Sequence, residues 1–218
     1  MDGLKTDTEG ISLVLVGSFN PAIYHPEWFG RRGLIRDEEV KSATLEVVHN
    51  EITSQVIGSI KIQVRSDRFM ASTANAGDYE VLRDLVEGTF KILPDTPIRM
   101  MGINFDAHYR MPSIEAWHAL GHRLAPKELW TPILEKPGTV SLTIEGDRDA
   151  KKGYLRVKVE PSARIKNGVG VYINVNDHYE IVEHKTEDGC AEIMEKLTAN
   201  WAPSLKRSRS ITEAIARS

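Results

Sequence analysis

The chain has 218 residues, 41% of them hydrophobic and 27% charged, with a formal net charge of −3 and a pI near 6.2. Those proportions exclude a disordered or low-complexity chain, and the slightly negative balance gives no general positive field to gather phosphate polymers, so nucleic acid is not a favoured partner. Cys190 is the only cysteine, which excludes an intramolecular disulfide and any multi-cysteine zinc module.

A chain of this length is read as one domain over 1–218. It contains no run of the roughly 18 apolar residues needed to span a membrane, and Met1 to Gly10 is polar, without a secretory apolar core. The expected location is therefore cytoplasmic, with no membrane partner.

Ile11 to Val16, bounded by Gly10 and Gly17, is a short run of β-formers and predicts a buried strand. Residues 18–36 are rich in turn signals, Asn20-Pro21, His25-Pro26, Gly30 and Gly33, yet carry Tyr24, Trp28 and Phe29; an ordered loop or short helix packed on the core is expected. Leu45 and Val47 alternate, as do Ile60, Ile62 and Val64 with Lys61, Gln63 and Arg65, and Phe69 to Thr73 adds a further strand. Such alternation belongs to half-exposed antiparallel strands. The spacing then changes to three and four at Tyr79, Leu82, Val86, Phe90 and Leu93, predicting an amphipathic helix stopped by Pro94.

Alternation returns over Ile98 to Tyr109. A second helix follows, with Ile114, Trp117, Leu120 and Leu124 on one face before Pro126. Three more strands are expected around Leu142 and Ile144, Leu155 to Val159, and Val169 to Val175, with turns at Gly146, Gly153 and Gly168. A last helix carries Cys190, Ile193, Met194, Leu197, Trp201 and Leu205, its stripe passing Pro203 with a kink. Residues 206–218 are expected to form a partly frayed tail. The sum is an α+β fold, a mainly antiparallel sheet of about seven or eight strands with three main helices packed on one face.

Two segments of the chain resemble each other. Ile103-Asn104-Phe105-Asp106-Ala107-His108-Tyr109-Arg110 matches Ile173-Asn174-Val175-Asn176-Asp177-His178-Tyr179-Glu180, with Ile, Asn, His and Tyr in register. The match suggests a pseudo-duplicated arrangement of halves 11–125 and 126–205; two similar strands within one fold is the plainer account. The phrases Gly17-Ser18-Phe19-Asn20-Pro21, Arg68-Phe69, Gly102-Ile103-Asn104, Leu124-Ala125-Pro126-Lys127-Glu128 and Asn176-Asp177-His178-Tyr179 resemble a loosely defined group of conserved bacterial proteins of unknown function. The likeness extends over most of the chain. It implies a bacterial cytosolic protein and brings no activity or catalytic residue with it.

Among possible sites, His118 and His122 lie four apart on a helix, a spacing metal ligands use, with His108 the candidate third ligand. The zinc-protease form needs a Glu after the first His, where Ala119 stands, and the pair falls on the polar side of the helix; no metal and no cofactor is expected. Hydrolase elbows, phosphate-binding loops and dinucleotide fingerprints are missing from the sequence. Two basic clusters, Arg31-Arg32 with Arg36 beside Trp28 and Phe29, and Lys206-Arg207-Ser208-Arg209, give a nucleic-acid reading its only support.

Trp and Arg dominate interface hot spots, so Trp28, Phe29, Arg31, Arg32, Trp201 and Arg207 form a candidate interface with a protein partner or a second copy, weighed against core packing of the aromatics. In the similar strands, alternation turns Asn104, Asp106 and His108, and Tyr172, Asn174, Asn176 and His178, away from the core. Amides and acids are disfavoured in strands unless side-chain interactions compensate. These seven are the candidate ligand- or partner-binding residues, weighed against bonding to nearby backbone. The function expected is that of a non-catalytic protein-interaction module. An enzyme or small-ligand binder with a dispersed polar site is the first alternative, and a nucleic-acid-associated protein the second.

Overall fold

The computed structural model describes residues 5–148, 153–166, 168–181 and 189–218. Nine strands pair into one antiparallel sheet: β1 (Lys5–Gly17), β2 (Thr44–His49), β3 (Ile52–Ile57), β4 (Ile60–Arg65), β5 (Arg68–Thr73), β6 (Ile98–Arg110), β7 (Leu142–Asp147), β8 (Gly153–Pro161) and β9 (Gly170–Glu180). Their order across the sheet is β2-β3-β4-β5-β1-β6-β9-β8-β7, every neighbouring pair antiparallel.

Two short helices, α1 (Pro26–Arg31) and α2 (Asp37–Ser42), follow β1; α3 (Tyr79–Ile92) leads into β6, α4 (Ile114–Leu124) follows it, and α5 (Ala191–Arg217) closes the chain. The ninth strand, β3, is additional to the expected set. Its inward positions carry Thr53 and Gln55 where the alternation of its neighbours places apolar residues, and both side chains serve the 20–31 segment: Thr53 Oγ1 donates to Pro21 O at 2.9 Å, and Gln55 Nε2 to Tyr24 O at 3.1 Å.

The core lies on one face of the sheet. Leu13, Leu15, Phe69, Ile103, Phe105 and Ile173 are enclosed beneath α3 and α5, each large side chain contributing about 1.5–3 kcal/mol by leaving water. Tyr24, Phe69 and Phe90 meet with centroids 5.3–6.5 Å apart, which draws the turn-rich 20–31 segment into the core as its aromatic content implies. Pro94 and Pro126 follow the ends of α3 and α4, and Ser113 Oγ caps α4 by accepting from Ala116 N at 3.2 Å.

The expected frayed tail over 206–218 is corrected: α5 continues to Arg217. Ser204, Ser208, Thr212 and Ala216, four residues apart, are all buried, and Thr212 Oγ1 lies 2.9 Å from Tyr109 Oη. The helix keeps its contact with the sheet by substituting small residues for large ones, a stripe that apolar spacing does not register. Among the described residues, no helix is long and apolar enough to cross a membrane.

Candidate polar face of the sheet

No described helix covers the opposite face of the sheet. Strand register sorts its central residues into four cross-strand ranks. Ser12, Asn104, Asn176, Arg156 and Glu145 form one; Val14, Gly102, His178, Tyr154 and Asp147 the next. On the other side lie Gly10, Asp106, Asn174 and Lys158, then Thr8, His108, Tyr172 and Glu160. All seven residues singled out from the similar strands therefore stand together, because β6 and β9 are neighbours whose pairing centres on Phe105 and Val175.

The middle rank is a chain of amides. Asn104 Nδ2 donates to Ser12 O and Gly102 O, each at 3.3 Å, and Asn104 Oδ1 accepts from Asn176 Nδ2. Asn176 Oδ1, at the end of the chain, is buried with no hydrogen-bond partner among the described residues. A Cβ on Gly102 would stand 2.9 Å from Asn176 Nδ2, so a larger residue there would push that amide aside. Asn174 Nδ2 donates to Phe105 O at 3.4 Å. The amides are thus spent partly on backbone and partly on each other.

Rings flank the amides on both sides. Tyr154 stacks on His178 at 4.3 Å and 18°, with Arg156 over the outer ring at 5.0 Å. His178 Nε2 lies 2.9 Å from Glu180 Oε1, and Arg156 pairs with Glu145 at 2.6 Å. At the other end His108 and Tyr172 are 4.8 Å apart, and His108 Nδ1 is 2.7 Å from Ser162 Oγ on the turn that follows β8. Burial, and then the Arg164 charge, hold the His108 imidazole below its usual range, against the opposing pull of Asp106 and Asp7. Burial pushes Tyr172 up to about 12.

In its rank, Asp106 receives no hydrogen bond from any described residue, and burial raises its carboxyl above the ordinary range. The rank partner of Asp106 is Gly10, whose missing Cβ would stand 3.4 Å from the carboxylate. Partly buried acceptors and rings set among paired charges can take hydrogen bonds from a docked group and give it flat surfaces to pack on.

The expected interface set is divided by the fold. Phe29 and Trp201 are enclosed in the core, and Trp28 packs against Phe29 at 5.2 Å. Trp201 Nε1 donates to Glu80 Oε1 at 3.0 Å. Arg207 reaches Asp177, Arg209 reaches Glu9 at 2.7 Å, and Arg31 and Arg32 are exposed. Of the aromatics beside Arg31 and Arg32, Phe29 is committed to the core and Trp28 is half-buried against it. His108 sits on the polar face, apart from His118 and His122 on α4, and no three metal-ligating side chains gather among the described residues.

One charged constellation escaped the sequence reading. Asp177, on the core side of β9, is fully buried and holds Arg148 and Arg207. Its signal was present, an acid at an inward position of an alternating strand, which demands a partner. No protein-family model matches the chain, and no curated protein is found similar to it.

Proposed function

We propose that the protein is a non-catalytic binding or assembly module of the bacterial cytoplasm, and that the uncovered polar face of the sheet, centred on β6 and β9, receives a protein partner or a second copy. The observation that carries this reading is the convergence of Asn104, Asp106, His108, Tyr172, Asn174, Asn176 and His178 in adjoining ranks of a face that no described helix covers. Tyrosines are enriched in interfaces because a ring offers area at small entropic cost while its hydroxyl stays hydrated. Tyr154 and Tyr172 supply that here. The resemblance of β6 to β9 fits one ancestral strand used twice, the antiparallel copies crossing at Phe105 and Val175, the one pair that is both in register across the strands and in matching places of the repeat.

The test compares the wild-type chain with the Tyr154→Ala/Tyr172→Ala variant by light scattering and by cross-linked capture from a bacterial lysate. Self-association or a specific partner, lost in the variant at an unchanged melting temperature, supports the reading. A wild type that associates with nothing, or a variant that retains the same association, overturns it.

Asp106 favours a second reading, a small polar ligand bearing a donor such as an ammonium group, because the half-buried carboxylate has no donor among the described residues. Loss of ligand binding on Asp106→Asn, with protein association intact, separates this from the first.

A further inference from the structure

A cavity of about 550 Å³, which meets the polar ranks only at Glu160, lies between α4, the ends of β8 and β9, and the 136–142 segment. Its volume falls in the range of small-molecule sites, and Trp117, Leu124, Leu142, Val159 and Val171 make its walls largely apolar.

Gly121 is the informative wall residue. It lies four positions after Trp117 and three before Leu124, so it shares their face of α4. Glycine is the poorest helix former after proline, and helices keep it where a neighbour presses on the backbone or φ is positive. Neither applies: a Cβ at Gly121 would meet nothing within 4 Å, and Gly121 is not among the positive-φ glycines. What the glycine preserves is open space in the cavity.

Charge sets the second requirement. Lys127 lines the cavity and donates to Gly121 O at 3.3 Å, Ala125 O at 2.5 Å and Thr139 Oγ1, all neutral acceptors, so no described carboxylate compensates its ammonium. Lys136 stands at the same wall, with φ at 52°. The acid that lines the cavity, Glu160, is already engaged by Lys158 at 2.7 Å. The walls are apolar and the uncompensated charge is positive.

We propose that this cavity binds a small amphiphile with an apolar body and one carboxylate, of the medium-chain fatty acid type. The apolar chain lies over Gly121 between Trp117 and Val171, and the carboxylate sits toward Lys127 and Lys136. Isothermal titration calorimetry of the full chain with decanoate, decanol and decylammonium tests it. Decanoate is expected to saturate at one per chain, decanol to bind about tenfold more weakly, and decylammonium not to bind. Gly121→Leu fills the space and should weaken decanoate about tenfold while leaving the melting temperature unchanged or raised. Lys136→Glu, at an exposed position, should weaken decanoate without affecting decanol. The proposal is overturned if decanoate fails to bind, if decylammonium binds as well, or if both variants bind decanoate like the wild type.

Discussion

Arg207 of α5 reaches Asp177 of β9, Nη1 to Oδ2, at 2.6 Å. From the other side Arg148 approaches Oδ1 at 3.2 Å, an electrostatic contact rather than a directed hydrogen bond, and lies over the Tyr179 ring at 3.7 Å. Tyr179 Oη donates to Oδ2 at 3.2 Å. One buried carboxylate therefore ties α5, β9 and the residue that follows β7. Removing the acid takes away the buried carboxylate that Arg148 and Arg207 share, so Asp177→Ala should lower the unfolding free energy in urea by about 3–5 kcal/mol. Arg207→Ala should cost less, because that side chain is partly hydrated. Equal stability of Asp177→Ala and wild type would show that water already solvates the arginines.

His108 gives a pH dependence of known sign. Burial favours its neutral form in the folded protein, while the unfolded chain takes up a proton near the ordinary value of 6.5. In the window from 6.5 down to the folded value the unfolded state binds more protons, so stability falls as pH drops through it. Urea unfolding at about pH 7.5 and about pH 5.5 should show a smaller loss for His108→Gln than for wild type. Identical losses would mean that the imidazole titrates alike in both states.

The small-residue side of α5 has no room for growth. Ser208 is 1% exposed and stands between Ser204 and Thr212, both fully buried, so Ser208→Leu should force the helix off the sheet and cost about 1–3 kcal/mol. Thermal unfolding checks this; an unchanged melting temperature would mean that the last turns of α5 contribute no packing.

Gln55 fastens the 20–31 segment by donating to Tyr24 O. Gln55→Ala leaves a buried carbonyl without its donor, at about 1–3 kcal/mol. The loss should be local, with hydrogen exchange accelerating in residues 22–31 before it does in α3 or β6. Uniform acceleration across the chain would assign Gln55 to global stability instead.

Alternation and helical spacing carried most of the architecture into the sequence, because strands such as β4 and β6 and helices such as α3 each bury one continuous side. They failed where burial is polar. Thr53 and Gln55 face inward to hold backbone carbonyls, which hid β3, and Ser204, Ser208 and Thr212 disguised the last three turns of α5 as an exposed tail. The polar face was legible for a related reason, since asparagines and histidines on the outer side of two strands stand out against the Lys, Gln and Arg of β4. Which strands adjoin was not, because adjacency of β6 and β9 depends on pairings far apart in the chain. Asp177 was overlooked in favour of its outward neighbours.

The position of β1 bears on how the chain is made. It precedes the other eight described strands in the chain and is the central one in the sheet, with Leu15 paired to Phe69 on one edge and to Met101 on the other. The β2 to β5 meander can close locally as it emerges, but β1 has both edges satisfied only once β6 is available. Until then its apolar side chains and unpaired backbone form a ready template for another chain. Folding during synthesis is thus paced by the arrival of Ile98–Arg110, and strand pairing at such separation is slow compared with hairpin closure.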